Sequence, residues 1–416
     1  MTRDERQEIA RVKWIKSKCK GAWVFPTGVG KSYAAIKAIK SIVKQYPNIK
    51  FLIVVPTDNL KVQWQEYINN NNLKSNGQVE IINTVVKYNW NIDILVIDEI
   101  HLTPTAVFGK VFTCVKYKYI LGLTATYNRL DGKEETIKKY CPIIDTITLQ
   151  EALENQWISQ FKEYAVMLDV DDIDTYKQYN REFIKYFEFF DFSWDRVNAC
   201  VGKNGFQYRY QLSKQVYPKD EEKRKQYLQA LTYNATGFMR VLQARKAFIN
   251  NHPKKLEVAR KIIKARPNAK IITFSNNIKM AESIGIGEVY TGKDSKKKAR
   301  ANLEEFNASK SGVINSVKKL ITGADIKGLN VAIMLGIDSS ETRAVQSRGR
   351  VIRFEEGKQA EIFNLIIDQT VECKWLLNSH KHSTYITIDE HGLDQVLKGD
   401  NPTPYYKKIK DFTFRY

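Results

Sequence analysis

Cysteine is sparse in this 416-residue chain: Cys19, Cys114, Cys141, Cys200 and Cys373 are scattered and form no C-x-x-C pair. That spacing suggests neither a disulfide framework nor a thiolate zinc cluster. Histidine is as scarce, and apart from His101 the four histidines His252, His380, His382 and His391 have no cysteine or carboxylate at metal-ligand spacing, His380-Lys381-His382 included, and read as structural. No run of eighteen apolar residues occurs, and an N-terminus carrying Arg3, Asp4, Glu5 and Arg6 has no signal-peptide pattern. The expectation is a cytoplasmic protein without a membrane partner. Acid is in short supply, 46 Asp and Glu against 66 Lys and Arg, which gives a net charge of +20. Such a chain suits a phosphate-backbone partner, because neutralising phosphates releases counterions. It is also rich in Asn, Ile and Tyr, as an AT-rich coding sequence would make it, so compositional drift stands as the other source of the charge.

At 43% hydrophobic and 12% aromatic, the chain has enough apolar side chain for two or three cores. Short aliphatic or β-branched runs alternate with helix-like stretches in two blocks, the pattern of βαβ units on parallel sheets. The first block has strand candidates at Ala22 to Phe25, Phe51 to Val55, Val79 to Ile82, Ile94 to Ile97 and Tyr119 to Leu123. Helical spacing of Tyr33, Ile36, Ile39, Ile42 and Val43 follows its first strand, and Asn69 to Asn72 reads as a turn. The second block, from His252-Pro253 onward, has candidates at Lys270 to Phe274, Glu288 to Tyr290, Gly312 to Ile314, Val331 to Leu335 and Ile362 to Ile367. Between the blocks lies an aromatic-rich helical stretch with Tyr176, Tyr179, Phe183, Tyr186, Phe187, Phe189, Phe190, Phe192 and Trp194. Base stacking is one use for these rings; the spacing favours a stripe buried in a helical core. The expected division is 1–150, 151–250 (linker and helical insertion), 251–375 and a tail, 376–416, that mixes Lys407, Lys408 and Lys410 with Tyr and Phe.

Chemistry concentrates in four places. Pro26-Thr27-Gly28-Val29-Gly30-Lys31-Ser32 follows the first strand and opens a helix. The glycines can turn backbone N–H groups toward a polyphosphate, Lys31 brings a charge to the β and γ phosphates, and Ser32 can place a hydroxyl on Mg²⁺. Asp98-Glu99-Ile100-His101 follows an apolar strand. Asp98 is then a Mg²⁺ partner, direct or through a water, and Glu99 the base for the attacking water, since phosphoryl transfer depends on positioning and charge neutralisation. Thr124-Ala125-Thr126 follows Tyr119 to Leu123, and Gln346-Ser347-Arg348-Gly349-Arg350-Val351-Ile352-Arg353 lies far downstream. If that last segment is helical, Gln346, Arg350 and Arg353 share a face from which guanidinium groups can meet the charge developing on a γ-phosphate. Gly349 lets this backbone approach another closely; a basic helix facing solvent or DNA is the plainer alternative.

This ordered set resembles the helicase core of superfamily 2, DExH type, over nearly the whole chain apart from the middle insertion and the tail. The resemblance implies two RecA-like α/β domains in tandem, ATP and Mg²⁺ as cofactors, and ATP hydrolysis coupled to movement on nucleic acid. It implies that Gln7 reads adenine, with Thr27, Gly28, Val29, Gly30, Lys31 and Ser32 on the nucleotide and Asp325 at its ribose or in the coupling network between domains. It implies that His101, Thr124 and Thr126 link the ATP site to the nucleic-acid side. Contacts to the nucleic-acid backbone would come from Pro56, Thr57, Thr84, Ser275, Thr291, Gly292 and Ser316. The stretch Leu121 to Thr126, with Arg129 and Asp131 behind it, is similar to the XPB-like and phage UvsW-like branch, which acts on double-stranded or branched DNA. Phe25, Ile100 and Tyr127 depart from the commonest motifs, and none of the three removes a charged catalytic group. The expectation is a DNA helicase or translocase, with RNA as the other substrate and a motor subunit of a restriction complex as another assembly. Compactness fits a small phage or mobile-element repair enzyme.

Overall fold

A computed structural model describes residues 1–127, 132–290, 296–317, 326, 328–380 and 384–405; within its helices, the side chains of 296–300, 341–343, 346 and 350 lie outside the description. The strands, in chain order, are β1 (Lys20–Val24), β2 (Phe51–Val55), β3 (Gly77–Ile81), β4 (Trp90–Asn91), β5 (Ile94–Asp98), β6 (Val115–Lys116), β7 (Tyr119–Thr124), β8 (Ile143–Thr146), β9 (Gln160–Leu168), β10 (Lys270–Ser275), β11 (Glu288–Tyr290), β12 (Gly312–Val317), β13 (Val331–Met334), β14 (Gln359–Ile367) and β15 (Ile386–Ile388). The chain forms two compact units. One takes Met1–Ala165, Arg260–Asn364 and Trp375–Ile386; the other takes Val166–Ala259, Leu365–Lys374 and the chain from Thr387 onward.

One sheet has the order β3-β2-β5-β7-β1-β8 with every pairing parallel. Its central strands are buried along their whole length, as β2 and β5 show, because helices cover both faces of a parallel sheet. The order places β5, β7 and β1 side by side, so the segments leaving their carboxyl ends emerge together. A second sheet runs β11-β12-β10-β13-β14-β9-β15, with β11 to β14 pairing in parallel, and β4 pairs with β6 alone. Strand β9 belongs to this sheet although periodicity did not single it out.

The helix Lys31–Gln45 packs through Ala34, Ala35, Ile36, Ala38 and Ile39, while Tyr33 is exposed. The buried stripe is thus rotated from the one expected through Tyr33, Ile42 and Val43, because small alanines allow the closer approach to the sheet. The turn expected at Asn69 starts later, since helix Asp58–Asn70 runs through it to an Asn71 cap.

In the second unit, helices Ile173–Glu188, Trp194–Val201, Gly205–Val216 and Glu221–Asn251 surround an aromatic core. Phe183, Tyr186, Phe187, Phe190 and Phe238 are buried there with Leu231 and Val241. The rings of Phe183 and Phe187 stand 5.0 and 5.5 Å from that of Phe238. The stripe is therefore a packed helical core, and Trp194 closes its rim with one side exposed. Within the same unit Lys255 gives Nζ to both oxygens of Glu372 at 2.7 and 2.8 Å, neither side chain reaching solvent.

Truncating Phe238 to Ala should cost about 3–5 kcal/mol through the cavity it leaves. Trp194 fluorescence in a urea titration reads the loss, because that ring lies 5.5 Å from Phe238. Phe206→Ala, on a side chain 65% exposed, should change stability by no more than about 0.5 kcal/mol.

Candidate nucleotide site

The loop from Pro26 to Gly30 joins β1 to helix Lys31–Gln45. Gly28 has φ 99° and Gly30, at the helix N-cap, φ 87° and ψ 37°. These left-handed angles admit glycine at low cost and leave the first helical N–H groups facing outward. Lys31 Nζ donates to the carbonyls of Phe25 at 3.0 Å and Pro26 at 3.4 Å, folding its charge back over the loop. Phe25, which departs from the usual small residue, is buried and stacks on Trp23 at 5.7 Å.

Gln7 lies beside the loop on helix Arg3–Lys16, whose start is closed by a Thr2/Glu5 capping box. Its Nε2 donates to the Val29 carbonyl at 3.1 Å, and its buried Oε1 has no partner. The helix is held by a network that sequence reasoning missed. Arg6 donates to Asp145 at 2.5 and 3.1 Å, to Glu151 at 3.0 Å and to the Thr146 carbonyl at 2.9 Å. Acid at 145 and 151 carries no local signal, because its partner stands more than a hundred residues upstream.

Asp98 ends β5, buried at 6% exposure. Its Oδ2 accepts the Trp64 indole N–H at 2.8 Å, a partner with no motif to announce it. Burial, with the neighbouring Glu99 charge, pushes the Asp98 carboxyl up to about 6, against the indole hydrogen bond and the Lys31 charge. Glu99 sits at φ 54°, ψ 50°, a left-handed conformation that non-glycine residues seldom adopt. Its Oε2 is 3.3 Å from His101 Nδ1, which is 2.9 Å from Thr124 Oγ1. Thr124 donates to the Thr126 carbonyl at 2.6 Å and accepts the Thr126 N–H at 3.2 Å. Lys31, Asp98, Glu99, His101, Thr124 and Thr126 thus converge from three adjacent strand ends.

The distal arginine segment reaches the same place. Helix Glu341–Val351 ends before Arg353, which instead forms an isolated antiparallel bridge with Ile158. Arg350 and Arg353 therefore do not share one helical face, because the chain is extended at 353. A Cβ on Gly349 would lie 2.1 Å from Thr27 Cβ, and one on Gly28 would lie 3.7 Å from Arg353 Cα. Burial lowers the Arg353 guanidinium from its ordinary value, with Tyr67 acting in the other direction. Gln346 and Arg350 lie on the helix, with side chains outside the described residues.

Elsewhere, Thr57 caps helix Asp58–Asn70 by accepting the Leu60 N–H at 3.4 Å, with half-buried Pro56 before it and half-buried Thr84 after β3. Ser275 and Ser316 end neighbouring strands β10 and β12, but both are buried, at 0% and 2% exposure, and Ser275 Oγ has no partner. Thr291, Gly292 and Asp325, like Arg129, Asp131 and the tail beyond 405, lie outside the described residues. Among the described residues no group of three or more His, Cys, Asp or Glu could cage a metal, and no helix is long and apolar enough to cross a membrane.

Two family profiles match the chain: the type III restriction enzyme res subunit over residues 2–89 and the helicase conserved C-terminal domain over residues 254–355. Solved structures share its fold. The helicase domain of Pyrococcus furiosus Hef has a TM-score of 0.51 at 16% identity, covering 90% of this chain and 97% of that one. Dbp5 of S. cerevisiae bound to RNA and ADP BeF3 has a TM-score of 0.59 at 12% identity, covering 94% and 91%. The chain is a superfamily 2 helicase core of two RecA-like domains, an ATP-hydrolysing enzyme. Within that superfamily it is of the XPB-like kind. The protein named DNA 3'-5' translocase XPB2 of Sulfurisphaera tokodaii is 26% identical over 396 residues, covering 89% of this chain and 83% of the relative. A protein that bears the name helicase 22, of Sulfolobus islandicus filamentous virus, is 23% identical over 406 residues, covering 88% and 64%.

The raised carboxyl at position 98 has a sign that can be measured. Its protonated form is favoured by the fold, so the stability it contributes is full below about pH 3.8 and is lost as pH rises through about 6. Asp98→Asn, neutral throughout, should melt above the wild type at pH 7 to 8, with the difference shrinking below pH 6 and vanishing near pH 4. Thermal unfolding in metal-free buffer across that range checks it.

Proposed function

We propose that this chain is a DNA translocase that couples ATP hydrolysis to movement along, or remodelling of, double-stranded or branched DNA. One observation carries the reading: the Gly28 loop, the Asp98-Glu99 pair and the Arg353 main chain come together at a single place. In this reading residues 1–150 and 251–375 are the two motor domains, 151–250 the linker and insertion, and 376–416 a tail.

The residues present fit ATP and Mg²⁺. Gly28 and Gly30 leave a cradle in which a side chain would be strained, and the unpaired Gln7 Oε1 can accept from an exocyclic amine of adenine. One carboxylate and one hydroxyl, Asp98 and Ser32, suffice for a Mg²⁺ that keeps waters and phosphate oxygens as its other ligands. The ion supplies charge neutralisation at the β and γ phosphates. Lys31 leaves the Phe25 carbonyl to meet those phosphates. Glu99 accepts the proton of the attacking water, and its backbone conformation aims the carboxylate off the end of β5. Arg350 and Arg353 stabilise charge on the transferring group, assisted by Gln346. His101, held against Thr124, passes the state of Glu99 to the Thr126 segment.

Thr57 and Thr84, half-buried just beyond β2 and β3, are the better candidates for phosphate contacts; Ser275 and Ser316 would act only if their strand ends open. The helical unit adds a surface of suitable chemistry. Phe206 and Tyr210, four residues apart, stack at 6.4 Å in solvent, and Lys214 places Nζ 4.7 Å from the centre of the Tyr210 ring. The basic residues Lys203, Arg209, Lys214 and Lys219 punctuate this stretch without an acid among them. Basic side chains with exposed rings suit nucleic acid. DNA is preferred because the XPB-like relative bears a DNA translocase's name. The restriction-subunit profile keeps a place for a larger motor complex.

Steady-state ATPase with no polymer, single-stranded DNA, duplex DNA, a four-way junction and RNA is the test. Duplex or junction DNA should stimulate most, with loss of about 10²–10⁴-fold in Glu99→Gln. Stimulation by RNA alone would transfer the reading to an RNA remodeller, and no stimulation by any polymer would contradict the motor.

A further inference from the structure

The arginine segment is gripped at both ends by one short stretch that precedes β9 and enters it. Ser159 donates its backbone N–H to the Ile352 carbonyl at 2.9 Å and its hydroxyl to the Arg353 carbonyl at 2.9 Å, while the same Oγ accepts the Glu355 N–H at 3.1 Å. Ile158, 1% exposed, bridges Arg353, and its Cγ2 stands 3.3 Å from the position a Cβ would take on Gly28. Lys358 adds Nζ to the Arg353 carbonyl at 3.3 Å. Four residues beyond Ser159, Glu163 takes the other end. Its Oε2 accepts Arg348 Nε at 2.8 Å, and its Oε1 accepts Asn364 Nδ2 at 3.1 Å and His380 Nε2 at 2.9 Å.

We infer that Ser159 and Glu163 are positioning residues for ATP hydrolysis, one fixing the main chain of Arg353 and the other anchoring Arg348 so that the helix bearing Arg350 is held in register. The inference rests on the proposed role of Arg350 and Arg353 at the γ-phosphate. A guanidinium stabilises a transition state only from a fixed place, and a displacement of about 1 Å can cost 10²-fold in rate. The Arg348–Glu163 pair is suited to setting register rather than to adding stability. Both side chains are at most 5% exposed, and a buried pair recovers its desolvation cost only through good geometry and further hydrogen bonds. Asn364 and His380 supply those bonds. Burial alone would raise the Glu163 carboxyl; Arg348, His380 and Asn364 overcome it and hold the carboxyl at about 2. Ser159 and Glu163 bear no signature in the sequence, because they meet the arginine segment and His380 only through the fold.

The experiment compares Ser159→Ala, Ser159→Thr, Glu163→Gln and Arg353→Ala in the full chain, measuring kcat and KM for ATP with saturating duplex DNA, together with thermal unfolding. Ser159→Ala and Glu163→Gln should lose about ten- to hundredfold in kcat with KM within about threefold of wild type, and Ser159→Thr, which keeps the hydroxyl, should recover most of the rate. Wild-type kcat in folded Ser159→Ala and Glu163→Gln, beside an inactive Arg353→Ala, would overturn the inference alone. So would a loss of kcat matched by equal losses in KM and melting temperature, the mark of a merely structural role. Wild-type kcat in Arg353→Ala would overturn the arginine reading beneath it. Ser159→Ala, on a small side chain, keeps the test decisive if Glu163→Gln fails to fold.

Discussion

Two glycines set how closely the halves of the first unit approach. Gly349 leaves no room for a Cβ against Thr27, and Gly28 lies directly under the main chain of Arg353. A phosphate loop needs glycine to admit a polyphosphate; here the same absence of side chains admits the arginine segment. The nucleotide cradle and the segment that would act on its γ-phosphate are built against one another, and side chains at these positions decide whether the second can reach the first.

Around that contact the polar groups are graded by burial. Asp98 has its carboxyl raised by burial and by the Glu99 charge, and its Oδ2 is held by the Trp64 indole. Glu99, His101 and Thr124 form a short relay from the end of β5 to the end of β7, which are hydrogen-bonded neighbours. On the proposed reading, a displacement at Glu99 would reach Thr126 through these contacts, which cross only one strand spacing. Two flanking networks keep the cradle in place: Arg6 with Asp145 and Glu151 on one side, Ser159 and Glu163 on the other. The helical unit has an aromatic core of its own.

Much of the fold was legible in the sequence. Runs such as Phe51 to Val55 and Ile94 to Ile97 are continuous and aliphatic because their strands are buried on both faces, and both were found as strands. Burial of the aromatic stripe was legible for the same reason, its spacing matching a helix. What was not legible depends on contacts distant along the chain. Strand β9 joins a sheet whose other strands begin a hundred residues later; Trp64 bonds Asp98 from helix Asp58–Asn70; Arg353 lies beyond its helix and bridges Ile158. Of the candidate site, Lys31, Asp98, Glu99, His101, Thr124 and Thr126 were recognisable because motif residues sit at strand ends, and the structure assembles them. Their partners Arg6, Trp64, Ser159 and Glu163 were not, since hydrogen-bond complementarity across such separations leaves no periodic trace.

The most direct measurement is hydrolysis against binding in Gly349→Ala. A methyl group there would have to occupy space filled by Thr27, so the arginine segment must withdraw while the phosphate loop remains intact. The account predicts that the variant folds and binds a non-hydrolysable ATP analogue with near wild-type affinity, while single-turnover hydrolysis falls by about 10²-fold or more. A folded Gly349→Ala that hydrolyses ATP at the wild-type rate would contradict it.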